Sequence, residues 1–425
     1  MSGIKQIHAS EIIDSSGYPT LKGRIILENG IEEELEIPSP IKADSNEPIA
    51  LRDKEDRMMG MGMRRAVEII NKGISQRLQG ASVLKQKEID IWLNTADSSK
   101  RKEILGISTI NLVSFLVAKA AARLQNKPLF IYLNELYARY FSGIKLEVVP
   151  TPIVTMINGG KFSNNLLDFK EFYILFSSTW NFEKILQRSV EIYHKLKETF
   201  EYRNISTSTA DQGGFSPNLN SNLDALDFLV ETIIKKNMKL GIDLFLGLDV
   251  GADDFYQNNS YKLAGEPQAK TSEDFLKYLN QMVKDYHVLY LEDAFARQDK
   301  NTQKKLLDLH GNFGYIAKDY MDGYGVDDMK KIFEEKLVNS IVIKANRYPT
   351  LLNLFTAIEF CRKNNCTYII TQEVSEVNQS FIADLSVGLQ APFVKFGAPV
   401  KGERVAKYNR LLEIEKILHQ ISASG

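Results

Sequence analysis

Six times in its second half, this chain closes a short apolar run with an ionisable or amide side chain. Asp249 follows Leu-Phe-Leu-Gly-Leu, Glu292 and Asp293 follow Leu-Tyr-Leu, and Lys318 and Asp319 follow Tyr-Ile-Ala. Lys344 follows Ser-Ile-Val-Ile, Gln372 and Glu373 follow Tyr-Ile-Ile-Thr, and Lys395 follows Phe-Val. Such runs read as strands buried on both faces. Amphipathic stretches lie between them, at 182–202, 222–236, 273–286, 327–335 and 351–364. Strands alternating with helices predict a parallel sheet, and this many predict a closed barrel. Chemistry in a barrel gathers past the C-terminal ends of its strands. One charge after a strand is ordinary solvated surface. Six converging on one mouth perturb each other's protonation, as functional sites do.

The first 140 residues have a different texture. Strand-like runs at 4–13, 21–28 and 31–37 are punctuated by Gly17-Tyr-Pro19 and Asn29-Gly30, the latter a hairpin signal. Helical patterns follow at 53–79 and 109–126. This is a small α+β domain over 1–140, followed by a barrel domain over 147–425.

Composition narrows the partners. Net charge is −1, from 53 basic and 54 acidic residues, which gives no electrostatic case for nucleic acid or an anionic membrane. No run of about 18 uninterrupted apolar residues exists, and the N-terminus has no apolar leader, so the expectation is a cytoplasmic protein. Cys361 and Cys366 are read as two reduced thiols, not a metal ribbon.

Several longer motifs carry a resemblance. Asp14-Ser-Ser-Gly-Tyr-Pro-Thr20, Ile157-Asn-Gly-Gly160, Asp211-Gln-Gly-Gly-Phe-Ser-Pro-Asn218 and Leu291-Glu-Asp293 are similar to motifs of the enolase family. Phe381-Ile-Ala-Asp-Leu-Ser-Val-Gly-Leu389 and Gly397-Ala-Pro399 resemble its C-terminal signature. The resemblance implies an enolase-like modified (β/α)8 TIM barrel behind an α+β cap, usually in a homodimer. It also implies lysine-based proton abstraction beside a carboxylate, with Mg²⁺ absorbing the second charge.

By that resemblance, Lys344 takes the place of the general base, and Lys395 that of the lysine supporting the substrate carboxylate. Glu171 matches a glutamate assisting proton transfer. Asp249 and Glu292 match two of three Mg²⁺ carboxylates. Other positions depart from the family. Lys318 replaces the third metal carboxylate and is expected between Asp249 and Glu292 as a salt bridge; the rival is that Asp319 turns inward. Gln212 replaces the catalytic acid and has no transferable proton. Lys42 replaces the lid serine, and Phe162 a histidine. Gln372-Glu373-Val374 replaces His-Arg-Ser, setting an acid where a phosphate-binding Arg belongs. Lys22 and Glu413 fall where the family carries the opposite charge pair across its dimer.

Three functions follow. The first is a pseudoenzyme with a scaffold or binding role and a protein partner. The second is a repurposed, metal-independent lyase on a small carboxylate, in which crowded Lys318, Lys344 and Lys395 lower each other's pKa. The third is a divergent phosphopyruvate hydratase of glycolysis. Mg²⁺ is expected only if the family site still works; otherwise no cofactor.

Overall fold

The computed structural model describes residues 2–41, 47–163, 165–319 and 325–424, with the side chains of Phe162 and Ser424 left aside. The cap opens with a three-stranded antiparallel sheet: β1 (Ile4–Ile13), β2 (Pro19–Leu27) and β3 (Glu32–Ile37). Gly30 sits at φ +85° in the turn between β2 and β3, a left-handed geometry that Asn-Gly supplies at little cost. The sheet lies on the helix Ile107–Leu124, which in length and composition could cross a membrane. Its apolar surface is spent on packing instead: 83% of that stretch is buried inside the fold.

The helix expected over 53–79 begins later. Regular helix starts at Arg64, passes through a π-helical turn at Ile69–Ile74 and ends at Leu78. Asp53 stays outside it, and its carboxylate accepts from the backbone N–H groups of Arg64 and Arg65, both at 2.9 Å. An acid is better placed capping those orphan donors than inside the helix.

The second domain is a closed barrel of eight strands: β4 (Thr151–Asn158), β5 (Glu171–Phe176), β6 (Leu244–Asp249), β7 (Val288–Glu292), β8 (Tyr315–Lys318), β9 (Ser340–Lys344), β10 (Thr367–Thr371) and β11 (Phe393–Lys395). They neighbour one another in chain order. The sheet is not wholly parallel as the sequence predicts, because β5 runs antiparallel to both β4 and β6. The segment between β4 and β5 holds only a short 3-10 turn, and without a crossover helix the chain returns antiparallel. Between β5 and β6 lie two helices, Phe182–Tyr202 and Asn222–Lys235.

Ile153, Tyr173, Leu175, Tyr290, Ala317, Val342 and Ile369 fill the barrel interior. Side chains alternate along a strand, so this layer fixes which residues of each strand reach the mouth above it.

Candidate functional site

On β5 and β7, Tyr173 and Tyr290 lie two residues below Glu171 and Glu292 on the same face. The Tyr173 hydroxyl donates to Glu171 Oε2, and the Tyr290 hydroxyl donates to Glu292 Oε2 at 2.5 Å. Both glutamates are fully buried. Asn158, at the end of β4, donates to Glu171 Oε1 at 3.0 Å. Burial lifts the Glu171 carboxyl above the usual range although Lys395 opposes the shift.

Lys395 donates to both oxygens of Glu292, at 2.7 and 2.6 Å. Lys344 donates to Asp319 Oδ2 at 2.6 Å. Burial works against both ammonium charges, but the surrounding acids outweigh it. Asp319 and Glu373 hold the Lys344 pKa above that of a free lysine, and Glu292, Asp249 and Glu171 do the same for Lys395. Lys344 and Lys395 are therefore shifted up, not down as their crowding suggests, because carboxylates surround them.

Lys318 does not sit between Asp249 and Glu292. Its Nζ lies 3.9 Å from Asp293 Oδ1, on the flank of the barrel beside Arg297 and Lys300. The inward residue is its neighbour Asp319, which pairs with Lys344 and does not join the cluster of Asp249, Glu292 and Asp293. The reason is alternation: Ala317 belongs to the interior layer, so Asp319 continues that face and Lys318 takes the other. Asp319 is held below the usual carboxylate range; burial opposes this, but Lys344 and then Lys395 prevail.

Glu373 is not a bare acid facing a ligand. Arg347 Nε donates to its Oε1 at 2.5 Å and Nη2 to its Oε2 at 3.3 Å, while Asn346 donates to Oε1 at 3.1 Å. Arg347 Nη1 also donates to Glu47 Oε2, in the cap, at 2.9 Å. Sequence reasoning missed Arg347 and Glu47. The signal for Arg347 was its position just past Lys344, in a 3-10 turn that carries it over the mouth.

Gln212 is half-buried, and its carbonyl accepts from Ala398 N–H at 2.9 Å. Gly397 at φ +80° makes this approach possible: a Cβ there would lie 2.6 Å from the same carbonyl. Arg404, wholly buried and also missed, donates to the carbonyls of Glu373 and Asp211, at 3.0 and 3.3 Å. It ties the Gln212 loop to the end of β10. Gln372 turns away to donate to Phe396 O at 2.7 Å. Lys42 and the side chain of Phe162 lie outside the described residues. Cys361 and Cys366 are free and buried.

Lys22 and Glu413 border one cleft of about 470 Å³ on the cap side, together with Phe381 and Asp384. Within the chain Lys22 pairs with Glu34 at 2.7 Å, and Glu413 with Arg410 at 2.9 Å.

Asp249, at the end of β6, has a buried Oδ1 without a hydrogen-bond partner. Burial and the adjacent Glu292 push its carboxyl well above the usual range. One oxygen each from Asp249, Glu292 and Asp293 lie within 4.8 Å of one another. An unpartnered buried carboxylate inside an all-oxygen donor set suits a hard divalent cation such as Mg²⁺.

The family model described as "Enolase, C-terminal TIM barrel domain" matches residues 146–423, and the one for the enolase N-terminal domain matches 4–133. The chain is similar to the curated protein "Enolase" of Natranaerobius thermophilus, 33% identical over 422 residues that span 99% of this chain and 97% of that relative. With both domains matched in order and the relative 33% identical over nearly the whole chain, this chain belongs to the enolase family.

Proposed function

We propose that this enolase-family chain does not efficiently interconvert 2-phosphoglycerate and phosphoenolpyruvate, and serves as a binding or scaffold protein in a homodimer. One observation carries this reading. The Arg347 guanidinium is held between Glu373 and Glu47, so the charge it would offer a phosphate is already answered by two carboxylates. Gln212 supports it, since an amide has no proton to give a departing hydroxide.

A cation bound at Asp249 and Glu292 would supply Lewis-acid stabilisation of a carboxylate-derived dianion. The chain's own groups would then do the following. Lys344 would need to lose its proton to Asp319 or solvent to act as a base, and Asp319 holds it charged. Lys395 is engaged with Glu292. Each missing transition-state contact costs about 10²–10³ in rate.

The lyase reading with a low-pKa lysine has no support in this geometry. The divergent phosphopyruvate hydratase reading is favoured by the retained carboxylate set at the ends of β6 and β7.

Phosphoenolpyruvate formation from 2-phosphoglycerate, followed by absorbance with saturating Mg²⁺, decides between them. Turnover below about one thousandth of an ordinary enolase rate supports the proposal. A rate within about tenfold of an ordinary enolase overturns it.

A further inference from the structure

Lys318, the last residue of β8, is a buried cation with one distant partner. Its side chain is 9% exposed, and its one ion pair among the described residues is with Asp293 Oδ1 at 3.9 Å, beyond hydrogen-bond reach. Asp293 follows the last residue of β7 at φ +46°, and its carboxylate belongs with the acids of the mouth. An ammonium buried without hydrogen bonds is costly unless another anion reaches it.

On the barrel flank, Lys318 lines a cavity of about 50 Å³ beside the helix Val326–Glu334. A water needs about 10–15 Å³ of such space, so the cavity admits an ion of several oxygens. Ile332 and Leu337 form its apolar part and limit the water that would screen charges there.

Four cations line this cavity, Arg297, Lys300, Lys318 and Lys331, against two carboxylates, Asp328 and Glu335. Two of the cations are answered. Lys300 pairs with Glu335 at 2.7 Å, and Arg297 Nε donates to Asp253 at 2.9 Å. Asp328 is turned to its own helix end, where it accepts from Gly325 N–H at 3.4 Å. Asp327 pairs with Lys330 at 3.3 Å, and no ion pair reaches Lys331 among the described residues. The surplus charge therefore falls on Lys318 and Lys331, one buried and one exposed, which line the same space.

We propose that this cavity binds the phosphate group of a small anion, with Lys318 and Lys331 supplying the charge. A phosphate ester carries about −1.5 to −2 charge at pH 7 and three strong acceptor oxygens. Each ammonium offers three rotatable donors to meet them. A carboxylate would bring only one charge to two cations. The site lies apart from the acids of the mouth, so binding needs neither Mg²⁺ nor turnover of 2-phosphoglycerate.

Inorganic phosphate titrated into the full chain, with chelator and no divalent cation, tests it by calorimetry and phosphorus resonance line width. One phosphate per chain is expected, bound more weakly as salt rises. Lys318→Met and Lys331→Gln each weaken binding at least about tenfold. Lys331 is exposed, so Lys331→Gln reads the site independently of any disturbance that Lys318→Met causes at the end of β8. Methyl phosphate separates the two sources of the group: equal affinity assigns an ester, affinity lost with the methyl group assigns the free ion, and either supports the site. No binding by the unaltered chain at millimolar phosphate overturns the proposal. So does binding that survives either substitution in a variant with an unchanged melting transition, since the anion then sits elsewhere.

Discussion

Arg347 grips Glu373 with two donors, Nε to Oε1 at 2.5 Å and Nη2 to Oε2 at 3.3 Å, while its third nitrogen holds Glu47 of the cap. The side chains of Arg347 and Glu373 are 8% and 10% exposed, so water screens this pair little.

Removing the guanidinium strands two buried acids. Arg347→Met is expected to lower unfolding free energy by about 3–5 kcal/mol, whereas Arg347→Met with Glu373→Leu recovers much of that loss. Urea denaturation of the single and double variants measures both.

Asp90 links the cap to the barrel: it accepts from Gln86 and Ser114 at 2.9 and 2.7 Å, and from Leu352 N–H of the barrel at 3.0 Å. Burial, against those hydrogen bonds, raises its pKa from 3.8 to about 6. Between those values the folded chain keeps a proton that the unfolded chain has released. The stabilisation is therefore full below about pH 4 and is lost as pH rises through about 6, by about 3 kcal/mol. Asp90→Asn is expected to remove that fall, seen as a flatter profile of stability between pH 4 and 7.

Gly397 admits the Gln212 loop. With φ +80° and a would-be Cβ at 2.6 Å from Gln212 O, Gly397→Ala is both strained and obstructed. A loss of about 1–3 kcal/mol in thermal or denaturant unfolding is expected, with faster proteolysis near residue 212.

The proposed homodimer places Lys22 of one subunit near Glu413 of the other. Lys22→Glu should weaken association roughly tenfold, as two symmetry-related exposed pairs are lost. Lys22→Glu combined with Glu413→Lys should restore it. Sedimentation equilibrium at low salt reads the difference, and equal dissociation constants for all three proteins would remove this pair from the interface.

The pattern of residues by itself determined the cap, the barrel and the ring of charged side chains at its mouth. Those features depend on short-range periodicity: Leu244 to Asp249 reads as a buried strand with an acid at its end wherever its neighbours lie. It also located Lys344, Lys395, Asp249 and Glu292, and the family resemblance added Glu171; all five reach the mouth. Alternation was readable too, and following Tyr315, Ala317 and Asp319 as one face would have turned Lys318 outward. Tertiary structure decided the rest. The antiparallel β5 came from a crossover that is missing, and Asp293 came from a single positive φ. The union of Arg347 with Glu373 and Glu47 brings together residues up to 326 positions apart (47 to 373). Charge pairing depends on which side chains meet across the mouth, and only the closed barrel with its docked cap sets that.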